Sequence, residues 1–395
     1  MKDHFCILPF IHMEIQPNGN VYPCCHSNEP STIGNLHKET IEEIWKGKEL
    51  SSFQEAFHTG KPEVLPHCKD CLYYESLSAK SWRETENRNW SHHVEKAKNK
   101  TLEMSAPRSI SIRFSNLCNF SCRTCRPSTS TAWFKDAKFL NPGGEYHKIS
   151  SAPEKKPLLV QIEPFIENLE HVYFAGGEPL MEKEHYEILK ILAERNPNVE
   201  LSYDSNLSIL ELGEYKAIDL WKKFKKVNYS ASIDGHGAQG EFIRKGLDWS
   251  VYLSNWNRIK KEAPHVRLMM NFTLSIYNML HVLDFLEEVK NLDMYKGNDI
   301  SDLTVSLVEE PEWQSLQALP EEVKLHVKNE YQNYVAKNKF GRIEQDLDTA
   351  VKYMFGEDKS KLIEQFRVFN TKLDFLRGES FKKLFPKEAK LLTLT

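Results

Sequence analysis

Three cysteines set the tightest constraint on this chain of 395 residues: Cys118-Asn119-Phe120-Ser121-Cys122-Arg123-Thr124-Cys125. The segment just before them alternates, with Ile110, Ile112 and Phe114 apolar, as a half-buried strand does. Spacings of three residues and then two suit a loop wrapped around one metal cluster, because each thiolate must point inward from a short, non-repeating backbone. Three thiolates on a four-iron cube leave one iron without a protein ligand, free to take a substrate or cofactor. The alternative is a zinc site that borrows a distant fourth cysteine.

A second stretch bears on that choice. His171-Val-Tyr-Phe-Ala-Gly176-Gly177-Glu178-Pro179-Leu180 is an apolar run closed by two glycines, an acid and a proline. It reads as a buried strand opening into a turn with exposed backbone groups. Together, the three-cysteine loop after one strand and Gly-Gly-Glu-Pro after the next resemble the radical S-adenosylmethionine (radical SAM) enzymes, over roughly residues 105–310. The resemblance implies that the open iron chelates the amino and carboxylate groups of SAM. It also implies that the segment Gly176, Gly177, Glu178 and Pro179 contacts the SAM amino group. One position departs from the family pattern: Thr124 stands where an aromatic residue near the adenine is usual.

The other five cysteines lie in the first 71 residues. The segment from Ile11 to Cys24 reads as a β-hairpin turning on Asn18-Gly19. That pairing brings Cys6, just before the first strand, close to Cys24, at the end of the second. Cys68-Lys-Asp-Cys71 is a two-cysteine knuckle, so hairpin and knuckle together supply four thiolates. Zinc and a four-iron cluster both suit such a set. Cys25 is spare and is the alternative to Cys24. The spacing of Cys6, Gly19 and Cys24 resembles the opening of the SPASM and shorter twitch modules, which bind auxiliary [4Fe-4S] clusters beside radical SAM cores. In most relatives the module follows the core, whereas here it precedes it. The chain as a whole resembles twitch-domain-containing radical SAM proteins.

Composition excludes several other classes. The net charge is −4 and charged residues make up 27 % of the chain, which gives no case for nucleic-acid or membrane binding. No apolar run approaches membrane-spanning length. The first residues lack the apolar core of a signal peptide, and the cysteines are clustered rather than spread as a disulfide framework, so a reducing cytoplasm is expected.

From Val172 the sequence alternates strand and helix. Strands are expected at 172–175, 199–203, 227–233, 266–274 and 303–308, with helices at 184–194, 218–224, 249–259 and 280–289. Such alternation implies parallel βα units. The resemblance implies that they form a partial (β/α)6 TIM-like barrel, with ligands at the strands' C-terminal ends. The expected organisation is therefore α/β: residues 1–95 an N-terminal cysteine-rich auxiliary-cluster module, 96–310 the radical SAM core, and 311–395 a C-terminal helical extension. Residues 85–106 read as a polar linker or exposed helix, and 141–157 as a surface insertion.

Polar residues cluster at the expected strand ends. Asn206 follows the third strand, and Ser232 and Asp234 the fourth, with Arg244 ten residues further on. The resemblance carries Ser232 to the SAM ribose or carboxylate and Arg244 to the carboxylate, which a guanidinium fork suits. Asp234, Glu309 and Glu310 are the weak candidates for a general base; Asp234 reads first as a turn residue holding Gly235, and the glutamates as a solvated charge pair. The expected activity is reductive cleavage of SAM to a 5′-deoxyadenosyl radical that abstracts hydrogen from a peptide or small-molecule substrate. The resemblance implies a flavodoxin or ferredoxin as reductant, and the second cluster points to oxidation or bond formation. A non-catalytic iron–sulfur or zinc scaffold is the alternative.

Overall fold

Asn18-Gly19 makes the expected tight turn between β1 (His12–Ile15) and β2 (Asn20–Tyr22), with Glu14 opposite Tyr22 and Ile15 opposite Val21. A two-residue strand, β3 (Gly34–Asn35), pairs antiparallel with β2. The other edge of β1 pairs parallel with β4 (Ser109–Arg113), Met13 lying opposite Ile110. The cysteine-bearing hairpin therefore extends the same sheet as the strand that leads toward Cys118.

The computed structural model describes residues 4–27, 31–60, 68–76, 80–292, 294, 302–338 and 341–393. It divides into two units. The first comprises Met1–Asn116, Lys148–Tyr203 and Glu211–Val227; the second comprises Leu117–His147, Asp204–Leu210 and Asn228–Thr395.

In the first unit, β4, β5 (His171–Ala175) and β6 (Glu200–Ser205) run parallel in that order, with the helix Lys183–Arg195 between β5 and β6. Their residues alternate sharply. Val172, Phe174, Leu201 and Tyr203 are buried, and Phe174 and Tyr203 meet His185 and Trp221 of the covering helices. The intervening positions are His171, Tyr173, Ser202 and Asp204, all half-buried. Parallel strands buried on both faces read as continuous apolar runs; this polar alternate face is that of a sheet holding a partly wet interior.

The polar stretch before β4 is two short helices, Trp82–Asn89 and Ser91–Lys98. A capping box starts the first, Ser81 accepting from Glu84 N–H and Glu84 reaching back to Ser81. Both helices are packed on one side through Arg83, His93 and Ala97 rather than solvated all round.

The second unit repeats the pattern. β7 (Lys226–Ile233), β8 (Val266–Leu274) and β9 (Leu303–Leu307) are neighbours in that order, β8 and β9 parallel with Met270 opposite Leu303. Tyr229, Ala231, Ile233, Phe272 and Leu274 are buried, and Phe272 packs at a tilt on Phe285 of the helix His281–Asn291. Asn228, Ser230, Ser232, Asn271 and Thr273 alternate with them, half-buried. The helix Trp249–Glu262, capped by Asp248, lies between β7 and β8.

The C-terminal residues are helical as expected: Glu321–Lys337, Arg342–Gly356, Ile363–Arg377, Phe381–Leu384 and Pro386–Leu391. Arg342–Gly356 covers the edge of β9, where Asp346 accepts the Val305 backbone N–H at 3.1 Å. That contact satisfies a donor which an open sheet edge would leave unpaired. Along the chain, strands alternate with helices, and the pairings within β4–β6 and of β8 with β9 are parallel, the α/β class of a partial TIM-like fold. Among the described residues no helix is long and apolar enough to cross a membrane.

Candidate active site and a second cysteine cluster

The loop carrying Cys118, Cys122 and Cys125 belongs to the second unit. Its backbone is accounted for almost group by group. Four successive carbonyls each accept a side-chain donor: Phe120 from Ser130 Oγ (2.5 Å), Ser121 from Arg377 Nη2 (2.7 Å), Cys122 from Trp133 Nε1 (2.8 Å) and Arg123 from Gln314 Nε2 (2.8 Å). Two amides are tied to another segment, Ser121 N–H to Lys245 O at 2.8 Å and Arg123 N–H to Ile243 O at 2.7 Å. A loop whose polar groups are satisfied this way is shaped by its own protein partners.

Cys122 is buried, Cys118 half-buried and Cys125 exposed. The Cys122 thiol is held below its ordinary range, first by a hydrogen bond from Cys125 and then, against its burial, by Arg244. Cys125, the donor of that bond, is pushed up by it. Thiolate character in a pocket bearing a guanidinium is what a metal ligand needs. No fourth cysteine lies in this unit. Three thiols and no more fit a four-iron cluster with one open iron; a closed tetrahedral zinc site would want a fourth donor.

The two carbonyls that accept those amides, of Ile243 and Lys245, fall on either side of Arg244. Its side chain is 12 % exposed, with Nη1 3.1 Å from Oδ2 of the fully buried Asp234. Burial alone would lower the Arg244 pKa, but Asp234 and the Cys122 and Cys125 sulfurs more than offset it, so the guanidinium stays charged. Asp234 is itself fixed: Oδ1 accepts Thr273 N–H at 3.1 Å, and its carbonyl accepts Asn278 Nδ2 at 2.9 Å. Gly246 presses on the loop from the same strap. A Cβ there would stand 2.7 Å from the Phe120 ring and 2.9 Å from the Asn119 carbonyl.

Asn206 also meets the loop, donating to Asn119 Oδ1 at 2.9 Å while its own oxygen accepts from Ser208. Ser232 sits one residue from the end of β7 on its half-buried polar face. Glu309 and Glu310 are exposed, and Glu310 pairs with Arg126 at 2.9 Å, just beyond Cys125. Asp234 is thus a buried partner of Arg244, and the two glutamates are surface charges.

Gly176-Gly177-Glu178-Pro179 lies in the first unit, at the C-terminal end of β5. Gly176 takes φ +118°, and a Cβ there would come within 3.2 Å of the Arg113 backbone. Only glycine allows β5 to leave so close to the end of β4. Gly177 N–H donates to Ser115 O at 3.2 Å. Glu178 is buried, accepting Leu180 N–H at 3.1 Å to cap the turn Pro179–Met181.

The second cysteine group is also in the first unit. Cys6, Cys24, Cys68 and Cys71 line one cavity with Leu8, Phe57, Leu72, Trp82 and Arg83. Burial pushes the Cys6 thiol well up, and the neighbouring Cys24, Cys68 and Cys71 push it further. Cys68 is pushed up to about 12 for the same reasons. The four thiols share one cavity and act on one another's charge, and a metal centre held by them would deprotonate them on binding. Cys24, not Cys25, lines the cavity; Cys25 is exposed. Arg83, which the sequence reading passed over, is buried here and held by Glu75 and by Phe5 O.

Comparison with known proteins agrees with both cysteine groups. Residues 6–72 match the model of SPASM, an iron–sulfur cluster-binding domain, and residues 112–288 that of the radical SAM superfamily. The former favours iron–sulfur over zinc in the N-terminal module. No curated protein matches the chain. Among solved structures, native anSMEcpe with bound AdoMet is similar at 17 % identity and a TM-score of 0.42, over 59 % of this chain and 63 % of that one. SuiB of Streptococcus suis is similar at 14 % identity and a TM-score of 0.39, over 84 % of this chain and 69 % of that one. The chain thus spans under two thirds of the length of anSMEcpe. The three-cysteine loop thus lies in the stretch that matches the radical SAM superfamily, and the four-thiol cavity in the stretch that matches the SPASM iron–sulfur cluster-binding domain, which precedes it in the chain.

Proposed function

We propose that this protein is an enzyme that cleaves SAM reductively to start a C–H abstraction on a peptide or small-molecule substrate, with the auxiliary [4Fe-4S] cluster supporting oxidation or bond formation. The observation that carries the reading is the three-cysteine loop, satisfied in its backbone and short of a fourth thiol, with a buried guanidinium whose charge acts on two of its sulfurs. A [4Fe-4S] cluster with SAM on its open iron supplies the radical when bound. Cys118, Cys122 and Cys125 hold that cluster. Arg244, kept charged by Asp234, is placed to pair with the SAM carboxylate, and Ser232 and Asn206 stand at the strand ends of the same unit. Gly176, Gly177, Glu178 and Pro179 offer a turn for the SAM amino group.

Cys6, Cys24, Cys68 and Cys71 hold the auxiliary cluster, in a cavity lined also by His4, Leu8, Phe57, Leu72, Trp82 and Arg83. On this reading residues 1–95 are the auxiliary module, 96–310 the core and 311–395 its helical extension. The protein works in a reducing cytoplasm and takes electrons from a flavodoxin or ferredoxin. Asp234, being committed to Arg244, is a positioning residue rather than a base, and the exposed Glu309 and Glu310 have no task in the chemistry.

Incubation of the anaerobically reconstituted protein with SAM and dithionite tests this. Release of 5′-deoxyadenosine is expected, and none above background from a Cys118→Ala/Cys122→Ala/Cys125→Ala variant. A fully loaded wild type that yields no more than the variant is instead the scaffold.

A further inference from the structure

Between Cys122 and Cys125 lies a side chain that neither the cluster nor SAM requires. Arg123 is fully buried, and every nitrogen of its guanidinium is engaged. Nε donates to Phe242 O at 3.2 Å and Nη1 to Asn370 Oδ1 at 2.8 Å. Nη2 donates to Asp374 Oδ1 at 2.6 Å and Glu379 Oε2 at 2.7 Å. The guanidinium also stacks on Phe242, 3.6 Å from the ring centroid. Asn370 and Asp374 lie one turn apart on the helix Ile363–Arg377, and Glu379 follows it after the turn at Gly378. Charge balances locally, since Lys245 pairs with Glu379 at 2.6 Å and Arg377 with Asp136 at 2.7 Å.

A surface residue or a simple core contact would not collect this set. A buried guanidinium is costly to desolvate and is tolerated where each donor is matched. Here the matched partners come from a segment about 250 positions away, yet the backbone they fix is the one that presents two cysteines. The same helix reaches the loop a second time through Arg377, which donates to Ser121 O and lies over Trp133, the donor to Cys122 O.

We propose that Arg123 is a positioning residue for the three-cysteine cluster, and that the helix Ile363–Arg377 is thereby part of that cluster's site. The strut holds the loop in its ligating shape before and after loading. It does so from behind, touching neither metal nor SAM. The inference rests on the assignment of Cys118, Cys122 and Cys125 as cluster ligands.

The test is iron release to a chelator from the reconstituted protein. The Arg123→Met, Arg123→Lys and Glu379→Gln substitutions are made twice, in wild type and in the Cys118→Ala/Cys122→Ala/Cys125→Ala background, where iron reports on the auxiliary module alone. Loss of an outer-shell partner typically weakens a metal site about ten- to hundred-fold. Arg123→Met is expected to release iron from the three-cysteine site about ten times faster, with Arg123→Lys between it and wild type, and to leave release from the auxiliary module unchanged. Should Arg123→Met fail to fold, Glu379→Gln, which takes the charge from one of the four acceptors, gives the same ordering with a smaller factor. Release within about twofold of wild type from cooperatively melting variants overturns the proposal, as does equal acceleration at both sites. A wild type that loads no iron at the three cysteines refutes the cluster assignment itself, a separate outcome.

Discussion

Gly246→Ala is the smallest change that should disturb the three-cysteine loop from outside it. Gly246 has φ +111°, outside the range a side-chain-bearing residue adopts readily. Forcing such a conformation costs about 1–3 kcal/mol. The new methyl would also stand 2.7 Å from the Phe120 ring, 2.9 Å from the Asn119 carbonyl and 3.2 Å from the Phe120 Cα. Two of those atoms are backbone and cannot swing away, so overpacking adds about 1–3 kcal/mol more. The lower end of the sum, about 2 kcal/mol, corresponds to a fall in melting temperature of about 4–8 °C for a unit of this size. Gly213→Ala is the control: φ is +59° with nothing within 4 Å, so it carries only the left-handed penalty of about 1–2 kcal/mol. Because Asn119 and Phe120 separate Cys118 from Cys122, Gly246→Ala should also lower iron retained at that site, whereas Gly213→Ala should not. Thermal melts and iron per chain measure both effects. If the two variants melt alike and hold equal iron, the contact of the strap with the loop does not matter and the reasoning fails.

Other expectations follow from the same geometry. Asp234→Asn leaves Arg244 charged and buried without its counter-ion, so the unfolding free energy in urea should drop by about 3–5 kcal/mol. Adding Arg244→Met should recover part of that loss; additive losses would deny that the two residues act as a pair. Cys24→Ala should abolish auxiliary iron and Cys25→Ala should spare it, since only Cys24 lines the cavity; the reverse pattern would move the ligand by one residue. His12 and His171 are lowered by burial to about 4, and His185 and His281 to about 3. A histidine whose folded pKa is depressed favours unfolding once protons bind the unfolded chain. Stability should therefore be flat above about pH 6.5 and fall below it, by about 1 kcal/mol per histidine at pH 5.5. Urea midpoints across that range test it, and a midpoint unchanged from pH 7 to 5 would contradict it.

The strand–helix order and both cysteine groups were legible in the sequence because they rest on local signals: period-2 alternation, Asn-Gly in a hairpin, cysteine spacing. Strand ends came within a residue or two for the same reason, with 303–308 observed as Leu303–Leu307. The helices Trp82–Asn89 and Ser91–Lys98 were harder, since each is short and polar and buries little beyond Arg83, His93 and Ala97. What the sequence hid was the support around the cysteines. Arg123 reads as an ordinary charge until Asn370, Asp374 and Glu379 are brought to it, and Gln314 and Arg377 reach the loop from as far along the chain. Long-range partners of this kind leave no periodic trace. Gly246 did leave a hint, a glycine two residues after Arg244, but its reason, the approach of Asn119 and Phe120, exists only in three dimensions. Asp234 reads in sequence as a base or a turn residue, and its pairing with Arg244 is again a partner distant enough to leave no local sign.

Iron and acid-labile sulfide per chain, after anaerobic reconstitution, bear most directly on the claim of two separate clusters. The measurement compares wild type with the Cys118→Ala/Cys122→Ala/Cys125→Ala variant. Roughly eight irons falling to about four, with sulfide in step, is the predicted result. About four irons falling to none, with zinc retained in the variant, would contradict it and leave the N-terminal module a structural metal site.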